Sequence, residues 1–259
     1  MSFIALLTDF GYRDAYVGVV KGVILTRCLD AQFIDLTHGV PPQDVLAGAL
    51  HLTAAVPYCP PDTIFLAVVD PGVGSERRPL CIRSSGRLFV GPDNGLLWPA
   101  AAACGTPEAF HLDCPQYWLP QTSATFHGRD VFAPVVAALA QGRTPEEVGT
   151  PISDPVRLEL PRPARTSQGV FGEVLYVDYF GNAVTNLRPE DLGNPAPDSV
   201  TFHVGNHTLP GPATHYGAVP SAEPVVVLGS FGFYEIAVNC GSAATVLDLE
   251  RGTIIVVRH

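Results

Sequence analysis

The first half of the chain repeats one pattern, in which a short and continuously apolar run ends at an aspartate and a glycine-containing turn. The clearest run, residues 64–69, leads directly into Asp70, and similar runs lead to Asp9, Asp35 and Asp93. Uninterrupted apolar runs of this length predict strands buried on both faces, as in a parallel sheet covered by helices. Segments of helical character alternate with these runs, at residues 14–27, 42–55 and 130–141. The pattern therefore predicts an α/β domain with a mainly parallel central sheet.

The position of the aspartates suggests a site. In open parallel sheets, ligands bind beyond the carboxyl ends of the strands. Asp9, Asp70 and Asp93 are therefore predicted to line one crevice. The alternative is that each carboxylate only accepts hydrogen bonds within its own turn, as aspartates in turns often do.

A proline-rich passage separates the two halves of the chain, with prolines at positions 145, 151, 155, 161 and 163. Such a run cannot continue a helix or a central strand, which predicts a linker. Strand-like segments and turns follow, at residues 172–177, 199–204, 225–228, 234–238 and 252–258. The sequence thus predicts a Rossmann-like α/β domain over residues 1–160, a linker over 161–168 and a small all-β domain over 169–259.

Composition and charge narrow the classes of partner. The 259-residue chain has a formal net charge of -10, which argues against nucleic acid because nucleic-acid binding usually needs a basic face. No stretch approaches the roughly 20 apolar residues that span a bilayer, and no basic and then apolar leader opens the chain. Six scattered cysteines without a C-x-x-C pair favour free thiols over a zinc site. The prediction is a cytoplasmic protein without membrane or nucleic-acid partner.

Three polar residues of the first half are candidates for catalysis. Asp70 and Arg77 flank a glycine turn, so the guanidinium can fold back onto the carboxylate, and His127 stands just before a predicted helix. An ionised aspartate, an arginine and a histidine that titrates near neutrality can together order and deprotonate a water molecule. The alternatives are a solvated Arg77 and a His127 that only hydrogen-bonds at the helix start.

Two segments of the second half carry further polar residues. In residues 176–186, aromatic side chains alternate with Asp and Asn, a combination suited to stacking on a flat heterocycle and reading its edge. A plain β-hairpin with Phe-Gly-Asn at its tip has the same appearance. In residues 229–239, Glu235 stands in an otherwise apolar strand, and a carboxylate in that setting needs a partner.

Taken together, six motifs resemble, in order, the S-adenosylmethionine hydroxide adenosyltransferases, also called adenosine-forming S-adenosylmethionine hydrolases. The resemblance extends from about residue 4 to residue 257. The motifs are Thr8-Asp9-Phe10-Gly11 with Asp14, Val69-Asp70-Pro71-Gly72-Val73-Gly74 with Arg77, Gly91-Pro92-Asp93-Asn94-Gly95, Phe126-His127-Gly128-Arg129-Asp130, Asp178-Tyr179-Phe180-Gly181-Asn182 with Thr185 and Asn186, and Gly232-Phe233-Tyr234-Glu235-Ile236-Ala237-Val238-Asn239.

The resemblance implies a fold, an assembly and a reaction. It implies an N-terminal α/β domain and a C-terminal β-barrel in a homotrimer, with the ligand between one subunit's N-terminal domain and its neighbour's C-terminal domain. Water, activated by the trio Asp70, Arg77 and His127, attacks the ribose C5′ of S-adenosyl-L-methionine and releases adenosine and methionine. Because the sulfonium is already an excellent leaving group, neither a cofactor nor a metal is expected.

The resemblance also implies a set of substrate-binding residues. Asp9 matches the residue that binds the ribose hydroxyls. Asp178 and Ser230 fall where the ammonium and carboxylate of methionine are held. Phe180 and Asn182 fall where the family stacks on adenine and hydrogen-bonds its edge, and backbone groups near Val238 and Cys240 belong to the same subsite. The remaining members of the predicted set are Asp14, Phe233 and Glu235.

The related halogenases attack the same carbon with fluoride or chloride, and this chain departs from them. Asp70 and His127 stand where the fluorinating enzymes have tyrosines, and an anionic Asp70 would repel a halide, which favours water as the nucleophile. Gly128 alone does not exclude chloride, so a halogenase of the chlorinase type stays open as an alternative. Phe231 stands where halogenases have an arginine near the methionine carboxylate, so that contact must be weaker or supplied otherwise. Two other classes of function stay open. One is a protein that only binds the same ligand, and the other is a metal-dependent hydrolase whose ligands would be Asp9, Asp70, Asp93 and His127.

Overall fold

The computed structural model describes residues 2–259 and divides into two compact units, one ending at Leu160 and the other spanning Pro161–His259. Each unit is built around its own sheet and its own core. Among the described residues, no helix combines the length and the apolar character needed to cross a membrane.

The first unit contains a seven-stranded sheet in the order β2-β1-β3-β5-β4-β6-β7. Strands β1, β2, β3 and β5 are parallel neighbours, and β4 and β7 run opposite to the other five, so the predicted mainly parallel sheet is confirmed. The strands are β1 (Phe3–Thr8), β2 (Gln32–Thr37), β3 (Ile64–Val68), β4 (Pro79–Ser84), β5 (Arg87–Pro92), β6 (Glu108–His111) and β7 (Thr150–Ile152).

Helices cover both faces of this sheet, which explains why its central strands carry apolar residues without alternation. All five residues of β3 are buried. On one face they pack with α1 (Tyr16–Arg27) and α4 (Ala133–Ala140), and on the other with α2 (Val45–Ala55) and α3 (Trp98–Cys104). The carboxyl ends of β1 and β3 thereby bring Asp9 and Asp70 to one edge of the sheet.

The helices begin later than the sequence pattern suggests, for local reasons. Helix α1 begins at Tyr16, and α2 begins after Asp44, whose side chain accepts a hydrogen bond from the Ala47 amide at 3.0 Å. The segment predicted as one helix over 130–141 divides into a π-helical turn, Gly128–Phe132, and α4. Such turns often mark functional sites.

The proline-rich passage is more regular than a linker. Pro145 opens a short helix, α5 (Pro145–Val148), where a missing amide is tolerated, and Thr144 and Glu147 form a capping box. Pro151 lies in β7 at the edge of the sheet, where proline is also tolerated. Within residues 161–168, strand β8 (Ala164–Thr166) pairs with β9 (Gly169–Val177), the strand that follows it in the chain.

The second unit is an antiparallel, nearly closed barrel, as expected for the C-terminal half. Its strands follow the order β12-β11-β15-β9-β10-β14-β13, and the outer strands β12 and β13 contact each other. A core that includes Phe202, Tyr234 and Ile236 fills the interior. Besides β8 and β9, the strands are β10 (Ala183–Thr185), β11 (Thr201–Val204), β12 (His207–Pro210), β13 (Pro224–Leu228), β14 (Tyr234–Val238) and β15 (Ile254–Arg258), with a short helix, α6 (Ala243–Val246).

Candidate functional site

Asp70 and Arg77 form a buried ion pair, as their spacing across the glycine turn predicts. The Nε atom of Arg77 donates to both carboxylate oxygens of Asp70, at 2.9 and 3.0 Å, and Nη2 donates to Oδ2 as well. The two side chains are only 9% and 6% exposed. Arg77 is therefore not the solvated surface residue of the alternative interpretation.

His127 joins this pair through the same guanidinium. Its Nδ1 lies 3.0 Å from Nη2 of Arg77, and because arginine can only donate, Nδ1 must be the acceptor. The neutral ring then carries its proton on Nε2. Burial, followed by the Arg77 charge, lowers the pKa of His127 below its ordinary value of 6.5, although Asp70 and Asp130 oppose the shift. The structure thus brings Asp70, Arg77 and His127 together.

One donor of this cluster has no protein partner. Nη1 of Arg77 is buried and makes no hydrogen bond to any residue that the structure describes. The Arg77 guanidinium also lies over the Phe132 ring, 5.3 Å from its centroid, which separates it from bulk water. A buried, unpaired donor of a charged group is costly, so an oxygen acceptor at this atom would be strongly favoured.

The turn after Asp70 packs tightly against the loop before His127. Gly74 has a φ of +77°, and a Cβ atom at this position would lie 2.2 Å from the Ala124 carbonyl oxygen. Only glycine permits both the conformation and the close approach. This contact brings Arg77 and His127 together although they are distant in sequence.

The π-helical turn holds His127 from its other side. Asp130 is fully buried and accepts hydrogen bonds from the Ser123 amide at 2.8 Å and from Arg129 Nε at 2.6 Å. Burial acts to raise the pKa of Asp130, but the hydrogen bonds from Arg129 and Ser123 outweigh it and hold the pKa below its ordinary value. Asp130 therefore stays ionised and fixes both ends of the loop that carries His127.

Aromatic side chains line a half-open cleft of about 550 Å³ next to the loop that carries His127. The rings of Phe10, Tyr16 and Phe126 meet edge to face, with centroid distances of 5.2 to 5.9 Å. Arg129 lies over the Phe126 ring, and Ser123 and Thr125 complete the lining. The cleft offers an apolar wall next to the polar cluster.

Asp9 lies at the carboxyl end of β1, where it accepts a hydrogen bond from the Gln43 amide at 2.9 Å. One oxygen of the carboxylate is used there, so the group retains acceptor capacity. Asp14 lies exposed in the turn before α1. Asp93 is engaged elsewhere, because it pairs with Arg78 at 2.7 Å and accepts from the Val156 amide at 2.7 Å.

A buried histidine that the sequence did not single out stabilises the Asp9 loop. His38 is fully buried, its Nε2 donates to Asp35 at 3.2 Å, and its Nδ1 lies 2.8 Å from the Thr8 hydroxyl. Thr8 accepts from the Phe10 amide, and the His38 carbonyl accepts from the Gly11 amide. The network therefore ties the ends of β1 and β2 together around Asp9. A histidine directly after a predicted strand, between Thr37 and Gly39, was the available signal.

In the second unit, Asp178 organises a hairpin turn. Its carboxylate accepts from the amides of Phe180 and Asn182, at 2.9 and 2.8 Å, and from the Asn182 side chain at 3.0 Å. This geometry fits the plain-hairpin interpretation, and it also presents the aromatic rings outward. Phe180 is 76% exposed and Tyr179 is 99% exposed, whereas Asn182 is buried beneath them.

Glu235 has the partner that its apolar surroundings require. The Tyr216 hydroxyl donates to Oε2 of Glu235 at 2.8 Å. Burial raises the pKa of Glu235, and the Asp178 charge adds to the increase although the Tyr216 hydrogen bond opposes it. Burial and the same two acidic groups raise the pKa of Tyr176 to about 12. Gly229 leaves room for this carboxylate, since a Cβ there would meet Oε1 at 1.8 Å.

The remaining predicted residues lie on or next to β14. Ser230 is in the turn between β13 and β14, closed by a hydrogen bond from the Gly232 amide to the Gly229 carbonyl at 3.0 Å. Phe233 lies directly under the Arg188 guanidinium, 4.0 Å from Cζ to the ring centroid, a contact that sequence reasoning missed. Val238 ends β14 and is buried.

Metal ligation finds no support in the arrangement of these groups. Within residues 2–259, no group of three or more His, Cys, Asp or Glu side chains is placed to hold a metal ion. Asp70 is bonded to Arg77, and Asp93 to Arg78, so cations already neutralise two of the carboxylates considered for such a site.

Comparison with known proteins agrees with this geometry. Family models for the N-terminal and C-terminal domains of the SAM hydroxide adenosyltransferases, where SAM is S-adenosylmethionine, match residues 4–149 and 172–256. An (R)-S-adenosyl-L-methionine hydrolase of Thermus thermophilus is 43% identical over 255 residues, which are 95% of each chain.

Two further comparisons concern a solved structure and a fluorinase. The crystal structure of an uncharacterized conserved protein from Thermotoga maritima superposes with a TM-score of 0.92 at 37% identity, covering 99% of this chain and 100% of that one. A fluorinase from an Actinoplanes species is more distant, at 28% identity over 287 residues, covering 98% of this chain and 96% of the fluorinase. The chain belongs to the SAM hydroxide adenosyltransferase family.

Proposed function

We propose that the protein hydrolyses S-adenosyl-L-methionine to adenosine and L-methionine by attack of water on the ribose C5′. The observation that carries this proposal is the buried Asp70–Arg77–His127 cluster, in which a carboxylate, a guanidinium and an imidazole meet. Relatives that are 40 to 43% identical are named as hydrolases of this compound. A protein that only bound the ligand would have no use for such a cluster.

The cluster suits an attacking water molecule. Nε2 of His127 and the unpaired Nη1 of Arg77 are donors, and the Asp70 carboxylate is an acceptor. Water held there accepts one hydrogen bond from these donors and points a proton at Asp70, which leaves the second lone pair of its oxygen free to attack C5′. As the C5′–O bond forms and the C5′–S bond breaks, the oxygen becomes acidic and its proton passes to Asp70 and then to solvent.

The leaving group needs no further assistance. Methionine departs as a neutral thioether, so no proton has to be donated to it, and catalysis consists of alignment and shielding. The aromatic wall of Phe10, Tyr16 and Phe126 supplies the shielding beside the cluster. No step of this mechanism requires a cofactor or a metal.

Binding of the substrate is assigned to the residues that match the family motifs. Asp9 accepts hydrogen bonds from the ribose hydroxyls, with its loop held by the Thr8–His38 network. Exposed Phe180 stacks on adenine while Asn182 and the backbone near Val238 read its edge. Asp178 and Ser230 hold the amino-acid end of the substrate. Glu235, Phe233 and Asp14 are the remaining residues assigned to substrate binding.

The configuration at sulfur belongs to the same proposal. The sulfonium sulfur is a stereocentre, and the relatives' names specify the (R) form. We therefore expect this chain to prefer the (R) epimer, which separate assays of the two epimers will establish.

Self-association as a homotrimer is also proposed, with the residues of the two units meeting on different subunits. Helix α1 supports an interface, because it is apolar on its outer side as well as its inner side. Tyr16 and Val19 are 48% and 39% exposed there, and Gly18 and Gly22 leave the surface open to close approach. A helix side on which exposed residues are largely apolar is normally covered.

A cytoplasmic location is part of the proposal. All six cysteines are free thiols, and Cys28, Cys59 and Cys81 are buried. Free thiols persist in reducing compartments. The acidic chain is expected to bind neither nucleic acid nor membrane.

The role of Asp70 is tested by Asp70→Asn, which keeps the shape of the side chain and removes its charge. Turnover should fall about 10²- to 10⁴-fold, the usual contribution of a positioned base, while the dissociation constant for adenosine changes less than about threefold. Kinetics and calorimetry on the same preparation measure both quantities. Unchanged turnover, or an equal loss of adenosine binding, would remove Asp70 from the catalytic role.

A further inference from the structure

The amino-acid end of the proposed substrate is a zwitterion, and its carboxylate requires a cationic partner. Basic side chains are scarce in the second unit, which contains no lysine and only five arginines, at positions 162, 165, 188, 251 and 258. Arginine suits a carboxylate because its planar fork donates two parallel hydrogen bonds. The question is which of the five lies near the turn that carries Ser230.

Arg188 lies against that turn. Its Cζ is 4.0 Å from the centroid of the Phe233 ring, and its Nη1 is 3.4 Å from the position that a Cβ on Gly232 would occupy. The neighbouring backbone is fixed by the hydrogen bond from the Tyr234 amide to the Leu187 carbonyl, at 2.8 Å. Stacking on Phe233 restrains the guanidinium and leaves its edge available for hydrogen bonds.

The charge of Arg188 is not neutralised by the protein. Among residues 2–259, no carboxylate forms an ion pair with Arg188. Asp191, close in sequence, accepts instead from the Arg188 backbone amide. By contrast, Arg165 donates to the Asp191 carbonyl and Arg251 donates to the Leu175 carbonyl, so these two are already engaged in structural contacts.

Carboxyl groups lie close to the same turn. Side chains alternate between faces along a strand, so Glu235 lies on the side of β14 opposite Tyr234, which points into the core, and Phe233 stands directly before the strand. Glu235 lies close enough to Asp178 for the two charges to interact. The region around β14 therefore carries the Arg188 guanidinium against Phe233 and the carboxyl groups of Glu235 and Asp178, the two kinds of group that bind the carboxylate and the ammonium of an amino acid.

We propose that Arg188 binds the carboxylate of the substrate's methionine portion, with the ammonium directed toward Asp178 and Glu235. This assignment rests on the proposed hydrolase function and extends it to the choice of substrate. It also explains how the chain can carry Phe231 where the related halogenases have an arginine. Arg188, which follows β10, supplies the guanidinium instead. Substrates without a carboxylate are accordingly disfavoured.

The test compares kcat/KM for S-adenosylmethionine and for decarboxylated S-adenosylmethionine, which differ only in the carboxylate. The unaltered chain should prefer the carboxylated substrate, and Arg188→Gln should reduce that preference about 10- to 100-fold, as for loss of a charged hydrogen-bonded pair. Arg188→Lys should restore part of it. Arg258→Gln, which removes an exposed arginine at the end of β15, is the matched control and should leave the preference unchanged.

The outcomes separate the two proposals. If Arg188→Gln slows both substrates equally, or if the unaltered chain shows no preference, Arg188 does not bind the carboxylate. If the unaltered chain cleaves neither substrate, the hydrolase proposal fails by itself, and calorimetry with methionine decides the assignment of Arg188. Methionine should bind the unaltered chain more tightly than the Arg188→Gln variant, and equal affinities would show that Arg188 does not bind the carboxylate.

Discussion

The protonation state of His127 is determined by a neighbour that cannot accept a hydrogen bond. Arg77 donates to Nδ1 of His127, so protonation of that nitrogen would break the contact and place a second cation beside the guanidinium. The same guanidinium holds the Asp70 carboxylate in place through Nε. One arginine therefore fixes the protonation state of His127 and the orientation of Asp70, the two side chains proposed to position water.

This arrangement predicts how turnover depends on pH. His127 is neutral at pH 7, and activity should be lost as the pH falls through a pKa below 6.5, because the protonated ring no longer accepts from Arg77. The acid limb of a kcat/KM profile measures this pKa. His127→Asn retains an acceptor for Arg77 and cannot titrate, so its weaker activity should lack the limb. A limb above 6.5, or one that survives the substitution, contradicts the assignment.

At the scale of elements, the apolar runs and the Asp70 turn were predictable because each depends on residues close in sequence. Continuous burial dictates the strands, and seven residues across a glycine turn suffice to bring Arg77 back to Asp70. The starts of the helices depend on caps such as Asp44, which shift them by a few residues. These differences are local and leave the sheet unchanged.

The missed residues have partners far away in sequence. Thr8 and His38 are 30 residues apart, and only the parallel register of β1 and β2 brings them together. Arg188 meets Phe233 because β10 pairs with β14. A sequence pattern identifies the element that carries such a residue but not the neighbour it meets, so neither contact could be predicted.

The Thr8–His38 network makes a prediction about the ends of β1 and β2. Thr8→Val removes the hydroxyl and leaves His38 Nδ1 and the Phe10 amide without partners, which should cost about 1–3 kcal/mol of stability and weaken adenosine binding several-fold through Asp9. Denaturant unfolding and calorimetry measure the two effects.

The matched control is Thr63→Val, which removes a buried hydroxyl that donates to the Pro60 carbonyl at the opposite end of the sheet. It should lower stability without changing adenosine affinity. Equal effects of the two substitutions on adenosine binding would show that the network has no specific relation to Asp9.

For the whole molecule, the exposed apolar side of α1 predicts assembly. Val19→Glu places a charge in the centre of that side, so the protein should sediment as a smaller species and lose turnover. Ala103→Glu puts the same charge on an exposed part of α3 and should change neither property. An assembled and active Val19→Glu protein would remove α1 from the interface.

The central claim, attack of water at C5′, is tested most directly by the fate of its oxygen. The purified protein is incubated with S-adenosylmethionine in oxygen-18 water, and the products are analysed by mass spectrometry. The account predicts one oxygen-18 atom in the adenosine, at the 5′ position, and none in the methionine. Unlabelled adenosine, or substrate that remains intact, would contradict it.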